Sequence, residues 1–400
     1  MTSHDVIVVG AGIAGKATAL RLAKLGLKVA HIAPNFEPSH HSNDSSWDSR
    51  IYALSASSQR LLSDMSVWQA LDPNRVQAVG DMRIYGDSLR KDDELHFSAY
   101  SAMVPQLAWI VESSHIERTI DAASKFERNI ERVVAQVVSF ETGSQVSVEL
   151  NTQQKISAKL MLAADGANSS TRQHLQIDTK INAYDHTAVV ANFDCERPHQ
   201  GTACQWFLPS GEILALLPLP ENRLSLVWSA RPNHAEALRQ MDAKELCRVV
   251  EAAAEKEVGR RTGHLRQITP PQTFPLRRLR AKRVIAPDEQ PRVILIGDAA
   301  HVMHPLAGQG LNLGLRDVAV LAEVLESRES FRDIDDPVLL RRYERMRHGD
   351  TDALLFTTDA LQKLFIREDQ TVKSLRNIGM RWVNRSHFLK RQLIKKAVAS

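Results

Sequence analysis

The chain has 400 residues, 43% of them apolar and 24% charged, with a net charge of +4, a length that predicts two domains. Its three cysteines, Cys195, Cys204 and Cys247, form no C-x-x-C pair, which points to a reducing compartment and against a zinc or other metal site. No basic stretch leads into an apolar one at the N-terminus, and no run reaches the ~18 apolar residues that span a bilayer, so a cytoplasmic or peripheral protein is expected.

The chain opens as strand, turn, helix, strand. Asp5–Val9 is a short β-branched run, Ala11–Leu25 has helical apolar spacing, and Lys28–Ile32 is a second apolar strand. Between the first strand and the helix stands Gly10-Ala11-Gly12-Ile13-Ala14-Gly15, a G-x-G-x-x-G pattern. The first glycine permits a tight turn, the second lets a pyrophosphate approach the backbone, and the third lets helix and strand pack closely. The helix start then offers unpaired N–H groups and partial positive charge to phosphates. A dinucleotide is the expected ligand. An Asp or Glu should end the second strand to hold the ribose, but Ala33 stands there, followed by Pro34, Glu37 and Pro38. His31, on that strand, reads as a satisfied core histidine.

Further along, Leu160–Ala164 predicts a strand ending in Asp165-Gly166. Thr187–Phe193, Ala203–Phe207, Ile213–Leu219 and Arg223–Ser229 show strand alternation and predict an antiparallel sheet inserted into a parallel α/β domain. Trp206, Phe207 and Trp228 in that sheet are candidates for an apolar pocket or for plain core. Arg292–Ile296 predicts a strand ending at Gly297-Asp298, followed by a helix over about Gly310–Leu325. The last 60 or so residues lack strand signals and read as helical. From Thr371 to Ser400 there are eight Lys or Arg and no Asp or Glu, whereas the rest of the chain carries 43 basic and 47 acidic residues. That tail suits a membrane surface or an acidic partner; no nucleic-acid-binding module accompanies it.

The most specific stretch is Gly297-Asp298-Ala299-Ala300-His301, then Pro305, Gly308-Gln309-Gly310-Leu311-Asn312-Leu313-Gly314 and Asp317. It reads as a strand end, a carboxylate suited to a polyol, and a glycine-rich helix start whose N–H groups can face a ring that becomes anionic on reduction.

Together with Asp165-Gly166-x-x-Ser169-x-x-Arg172, these residues resemble the single-component flavin aromatic hydroxylases of the p-hydroxybenzoate hydroxylase type. The resemblance narrows to the ubiquinone-biosynthesis branch through Asp48-x-Arg50-x-x-Ala53-Leu54, Ser58, Leu61-Leu62, Val111-Glu112, Ala215–Leu219, Val227-Trp228-Ser229 and Leu375-Arg376-Asn377-x-Gly379. Ala33 departs from the pattern, as does Met65-Ser66-Val67-Trp68, where the branch usually has a glycine before Val-Trp. The resemblance implies a Rossmann-type FAD-binding α/β domain (1–75, 100–180 and 275–345), an inserted antiparallel substrate domain (76–99 and 181–274) and a helical C-terminal region (346–400). Its implied cofactor contacts are Gly10, Gly12, Ile13, Ala14, Gly15, Arg50, Asp165, Gly166, Arg172, Gly297, Asp298, Pro305, Gly308, Gln309, Gly310, Leu311 and Asn312, with Pro305 on the flavin face. It also implies FAD, transient NAD(P)H, and hydroxylation of a polyprenylated phenol through a flavin C4a-hydroperoxide. Partners would be the lipophilic phenol and, through the tail, the inner-membrane surface or other biosynthetic enzymes. A small soluble aromatic acid as substrate and a flavin-poor scaffold are the alternatives. No catalytic acid or base is assigned: His304 reads as incidental and His301 as structural.

Overall fold

The computed structural model describes residues 3–37, 47–86, 94–254, 261–303 and 310–366. Pro305, Gly308, Gln309, His304 and the basic tail lie outside the described residues. Among those described, three sheets organise the chain. The first runs in the order Ile285–Ala286, Val293–Leu295, Lys155–Ala163, Ser3–Val9, Val29–Ala33, Ile130–Val134, with Val146–Leu150 antiparallel to Lys155–Ala163 and Val137–Thr142 antiparallel to Val146–Leu150. Its central strands are parallel and buried on both faces, which is why Val6, Ile7 and Val8 are all at 0% exposure.

The first helix, Ile13–Lys24, forms because Ala, Leu, Arg and Lys dominate it. It ends at Gly26, whose φ of +85° permits the closing bonds from Gly26 N–H to Ala23 and from Leu27 N–H to Leu22. The helix packs Leu20 and Leu22 into a core shared with helix Gly310–Glu326 and with Tyr343 of helix Pro337–Ile366.

The second sheet, nine-stranded, includes Thr179–Cys195, Thr202–Phe207, Ile213–Leu219, Arg223–Ala230 and Gln272–Ala281, mostly antiparallel. One face, with Phe193, Trp206, Leu214, Leu226 and Trp228, is covered by helices Pro232–Gln240 and Ala243–Ala253. Trp206 and Trp228 are therefore core residues, Trp206 bordering only a small cavity with Cys204 and Leu216, while Phe207 points to the opposite face with Ile213. All four strands expected here are present. The alternation gave no sign of the third sheet, Ile51–Leu54, Ala108–Glu112 and Val76–Val79, because short strands with half-buried residues carry little periodicity.

Polar contacts tie the sheets together. Glu112, fully buried, receives two bonds from Arg75 at 2.7 and 2.8 Å and one from the Asp48 N–H at 2.6 Å. Asp48 in turn accepts the Arg50 and Ser114 N–H groups at 2.9 and 3.0 Å. Asn192 of the second sheet donates to the Asp48 carbonyl at 2.8 Å.

Exposed Ser66 has φ +61°, a conformation that favours glycine. Ser66→Gly is expected to stabilise the protein by about 1 kcal/mol through relief of that strain, read as a raised urea midpoint; an unchanged or lowered midpoint would contradict it. Glu112→Ala is expected to cost about 3–5 kcal/mol by leaving Arg75 uncompensated. Arg239→Ala, which breaks an exposed pair with Glu236, should leave the midpoint where it was.

Candidate active site

Val9, Ala163 and Leu295 lie level on neighbouring parallel strands. The three motifs that follow them, beginning at Gly10, Asp165 and Gly297, consequently meet along one carboxyl edge. Backbone bonds lock the edge: Ala164 N–H donates to Val9 at 2.8 Å and Ile296 N–H to Ala163 at 2.9 Å.

Packing explains two glycines of the first motif and leaves the third for something else. A Cβ at Gly10 would lie 2.2 Å from the Ala164 carbonyl oxygen, and one at Gly15 would lie 2.1 Å from that of Gly10. At Gly12 a Cβ would meet nothing within 4 Å. Gly12 is exposed, caps the first helix without any side-chain cap bond, and no acidic residue stands in the first turn. Open space, free helix N–H groups and partial positive charge fit a pyrophosphate. Ile13 contributes backbone only, since its side chain is core. Ala14 packs toward Gly297, whose φ is +61°.

His31 donates through Nε2 to the Gly10 carbonyl at 2.8 Å. Burial lowers its pKa to about 4, with Arg132 and Lys16 adding to the fall and the Gly10 bond opposing it. The imidazole is thus neutral at physiological pH, a satisfied core histidine as expected. Ala33 is buried and offers nothing to a ribose. Beside it a concave surface of about 550 Å³ opens, lined by Asn35, Glu37 and Arg118 among others; these are the polar groups that could stand in for the missing acid. Buried Lys16 fixes that wall, donating to the Phe36 carbonyl at 3.0 Å and to Asp121 at 2.8 Å.

In the second motif, Asp165 accepts the Thr171 N–H at 3.0 Å through Oδ2, while its Oδ1 is buried without a partner. An unsatisfied buried carboxylate oxygen at a strand end fits a ligand hydroxyl. Gly166 has φ +84°. Arg172 donates to the Ala299 and Ala167 carbonyls at 2.8 and 2.9 Å, so it bolts this turn to the next one.

In the third motif, Asp298 is accessible yet hemmed in by protein. Burial pushes its carboxyl pKa up, against His301, Arg50 and Arg277, and Asp317 adds to the rise. An accessible carboxylate at a strand end suits a polyol chain. Arg50 sits 5.6 Å from the Tyr52 ring centroid and 5.8 Å from that of Phe274, between the third sheet and the second. Asn312 is occupied by the protein: its Oδ1 accepts Ser55 N–H at 2.9 Å and Ser58 Oγ at 2.7 Å, and its Nδ2 donates to Ala53 at 2.8 Å. It sets the position of Gly310 and Leu311 at the helix start. The residues present therefore fit FAD.

The sequence reading gave Asp317 no role and did not single out Arg347. Asp317 accepts the Gly297 N–H at 2.9 Å through Oδ2, lies 2.8 Å from His301 Nε2 through the same oxygen, and accepts Arg347 Nε at 2.7 Å through Oδ1. An acid inside an otherwise apolar helix face was the available signal for Asp317. Arg347, 30 residues away, had none.

The FAD binding domain family model matches residues 3–355. The chain is 33% identical over 401 residues to the ubiquinone hydroxylase UbiL of Rhodospirillum rubrum, covering 99% of this chain and 90% of that protein. It is 31% identical over 398 residues to the 3-demethoxyubiquinol 3-hydroxylase of Escherichia coli, covering 98% of each. Among solved structures, p-nitrophenol 4-monooxygenase PnpA of Pseudomonas putida superposes with a TM-score of 0.76 at 17% identity, over 100% of this chain and 99% of that one.

Gly12→Val should leave the melting of the apoprotein nearly unchanged yet abolish tight FAD binding by closing the phosphate approach. Gly15→Ala should destabilise the apoprotein by about 1–3 kcal/mol through overpacking. Thermal melts with and without FAD check both; a Gly12→Val variant that holds FAD like the parent would overturn the assignment.

Proposed function

The chain belongs to the FAD-dependent hydroxylases of ubiquinone biosynthesis, and from that premise we propose that it hydroxylates the ring of a neutral, polyprenylated phenol. It is an FAD-dependent monooxygenase, with NAD(P)H as the reductant typical of the family. Bound FAD supplies the redox chemistry and oxygen activation that ring hydroxylation requires. The protein's residues bind, orient and exclude water. The first helix start and Gly12 hold the pyrophosphate, Asp298 and Asp165 Oδ1 accept hydroxyl groups, and Gly310 and Leu311 at the late helix start meet the ring system. Pro305, Gly308 and Gln309 belong to the same reading through their motif alone.

One observation carries the choice of substrate. The face of the second sheet turned away from its helices can be read rung by rung from the strand register. One rung is Phe207, Ile213, Ser229, Ala188 and Phe274. The next is Gln205, Ala215, Val227, Val190 and Gln272. A third holds Leu217, Ser225 and Asn192. Phe274 lies against Arg50, which places this face beside the Asp298 turn. No ionised side chain stands on these rungs; the first appear at Arg223 and Asp194, which pair with each other at 3.3 Å. An apolar wall with scattered hydroxyl and amide groups suits a lipophilic phenol. On the rungs themselves a benzoate carboxylate would find no cation; Arg50, against Phe274, stands at their edge beside Asp298.

No helix among the described residues is long and apolar enough to cross a membrane. The eight cations between Thr371 and Ser400 support docking of the tail on the anionic inner-membrane surface that would hold such a substrate, each worth on the order of 1 kcal/mol at low salt.

NAD(P)H oxidation is expected to be stimulated by a prenylated phenol and coupled to its hydroxylation, with p-hydroxybenzoate inert. The reverse order of activity would establish the soluble-acid reading instead. Changing Arg385, Lys390, Arg391, Lys395 and Lys396 to Gln should reduce co-sedimentation with anionic vesicles at low salt; equal binding of parent and variant counts against the membrane.

A further inference from the structure

The Asp317 carboxylate is buried at 1% exposure and Arg347 at 2%, and the two come from different helices. Asp317 lies on Gly310–Glu326, Arg347 on Pro337–Ile366. One oxygen of Asp317 is given to the flavin-binding turn, through Gly297 N–H and His301, and the other to Arg347. Arg347 also approaches Asp350 at 3.3 Å, and Tyr343, at 1% exposure, packs one turn before it on the same helix. We propose that Arg347 is a positioning residue for the cofactor site: its guanidinium holds Asp317 in the orientation that fixes Gly297, and through Gly297 sets where Asp298 points.

Geometry gives the argument its direction. Gly297 is in a left-handed conformation, with φ +61°, and its neighbour Asp298 is the accessible carboxylate of the site. A turn of that kind is held by whatever binds its N–H, and here the acceptor is Asp317. Burial works to raise the Asp317 pKa, but His301 and Arg347, with the Gly297 bond, outweigh it and keep it below the ordinary range. Two groups therefore share the neutralisation of one buried carboxylate. Arg347 is charged at every working pH, whereas His301 carries charge only when protonated. The other charged groups acting on this cluster are Asp350, against Arg347, and Asp298, whose carboxylate opposes a second negative charge nearby and is itself offset by Arg50 and Arg277.

Removing Arg347 leaves the second Asp317 oxygen without its donor, and this predicts a signature that loss of packing does not produce. In Arg347→Met the Asp317 carboxylate is free to turn, its bond to Gly297 N–H loosens and cofactor affinity falls. In Arg347→Lys a cation again faces that oxygen, and affinity recovers although the side chain is shorter and packs differently.

The inference rests on the reading of Asp298 as a cofactor contact, and the test separates the two. FAD dissociation constants are measured by flavin fluorescence for the parent, Asp298→Ala, Asp317→Asn, Arg347→Met, Arg347→Lys and the double variant Arg347→Met/Asp317→Asn, alongside apoprotein melts. Arg347→Met should bind FAD about tenfold more weakly than the parent, Arg347→Lys should recover most of that loss, and the double variant should bind no more weakly than Asp317→Asn alone. Parent affinity in Arg347→Met despite a lowered melt, equal losses in Arg347→Met and Arg347→Lys, or a double variant weakened by both losses together would reduce Arg347 to a structural residue and overturn the proposal. If Arg347→Met does not fold, a loss of affinity in Arg347→Lys as large as that in Asp317→Asn equally overturns it. Parent-like binding by Asp298→Ala would instead sink the cofactor-contact reading, whatever Arg347 does.

Discussion

In a parallel sheet every strand delivers its next residue to the same edge, and here Val9, Ala163 and Leu295 end level with one another. Each is followed within three residues by a backbone that only glycine adopts readily: Gly10 at φ +120°, Gly166 at φ +84° and Gly297 at φ +61°. The tight turns keep side chains out of the edge and aim N–H groups and carboxylates along it. A ligand laid across the edge meets a helix start at one end and Asp298 at the other, as in other open parallel sheets. The long intervals between the motifs cost the site nothing, because the register of three strands fixes their separation.

The edge is held from behind by charge rather than by apolar packing alone. Arg172 joins the second turn to the third through the Ala167 and Ala299 carbonyls. Asp317 joins the third turn to two helices. Glu112, with Arg75 and Asp48, joins the third sheet to the segment that carries Arg50. Each centre is a buried carboxylate or guanidinium whose hydrogen-bonding capacity is largely met inside the protein, the condition under which such groups specify geometry. The inserted sheet contributes differently. Its two faces differ in what they pack against: one is closed by helices Pro232–Gln240 and Ala243–Ala253, and the other reaches Arg50 at Phe274 and carries small, apolar or amide side chains.

Much of this was legible in local sequence. A glycine that must take a positive φ, a helix start after a strand and an alternating run are properties of a few neighbouring residues, set by sterics and by the periods of helix and strand. They predicted the first βαβ unit, the strands of the inserted sheet, helix Gly310–Glu326 and the three motifs of the edge. His31 was also read correctly, since a lone polar residue on a buried strand must find a backbone partner, and it found Gly10.

What local sequence left open depends on pairs of residues far apart in the chain. Alternation says that Trp206 and Phe207 face opposite ways, but only the helices packed on one face decide that Trp206 is core. The third sheet exists because Ala108–Glu112 pairs with both Ile51–Leu54 and Val76–Val79, and none of these short segments carries a period of its own. Arg347 looked like one more basic residue on a polar helix until that helix placed it 2.7 Å from Asp317. The sequence by itself determined the turns, the cofactor chemistry and the family. Tertiary structure alone decided which charges compensate one another and which face of the inserted sheet its helices leave uncovered, because burial and pairing are properties of the packed chain and have no local period to betray them.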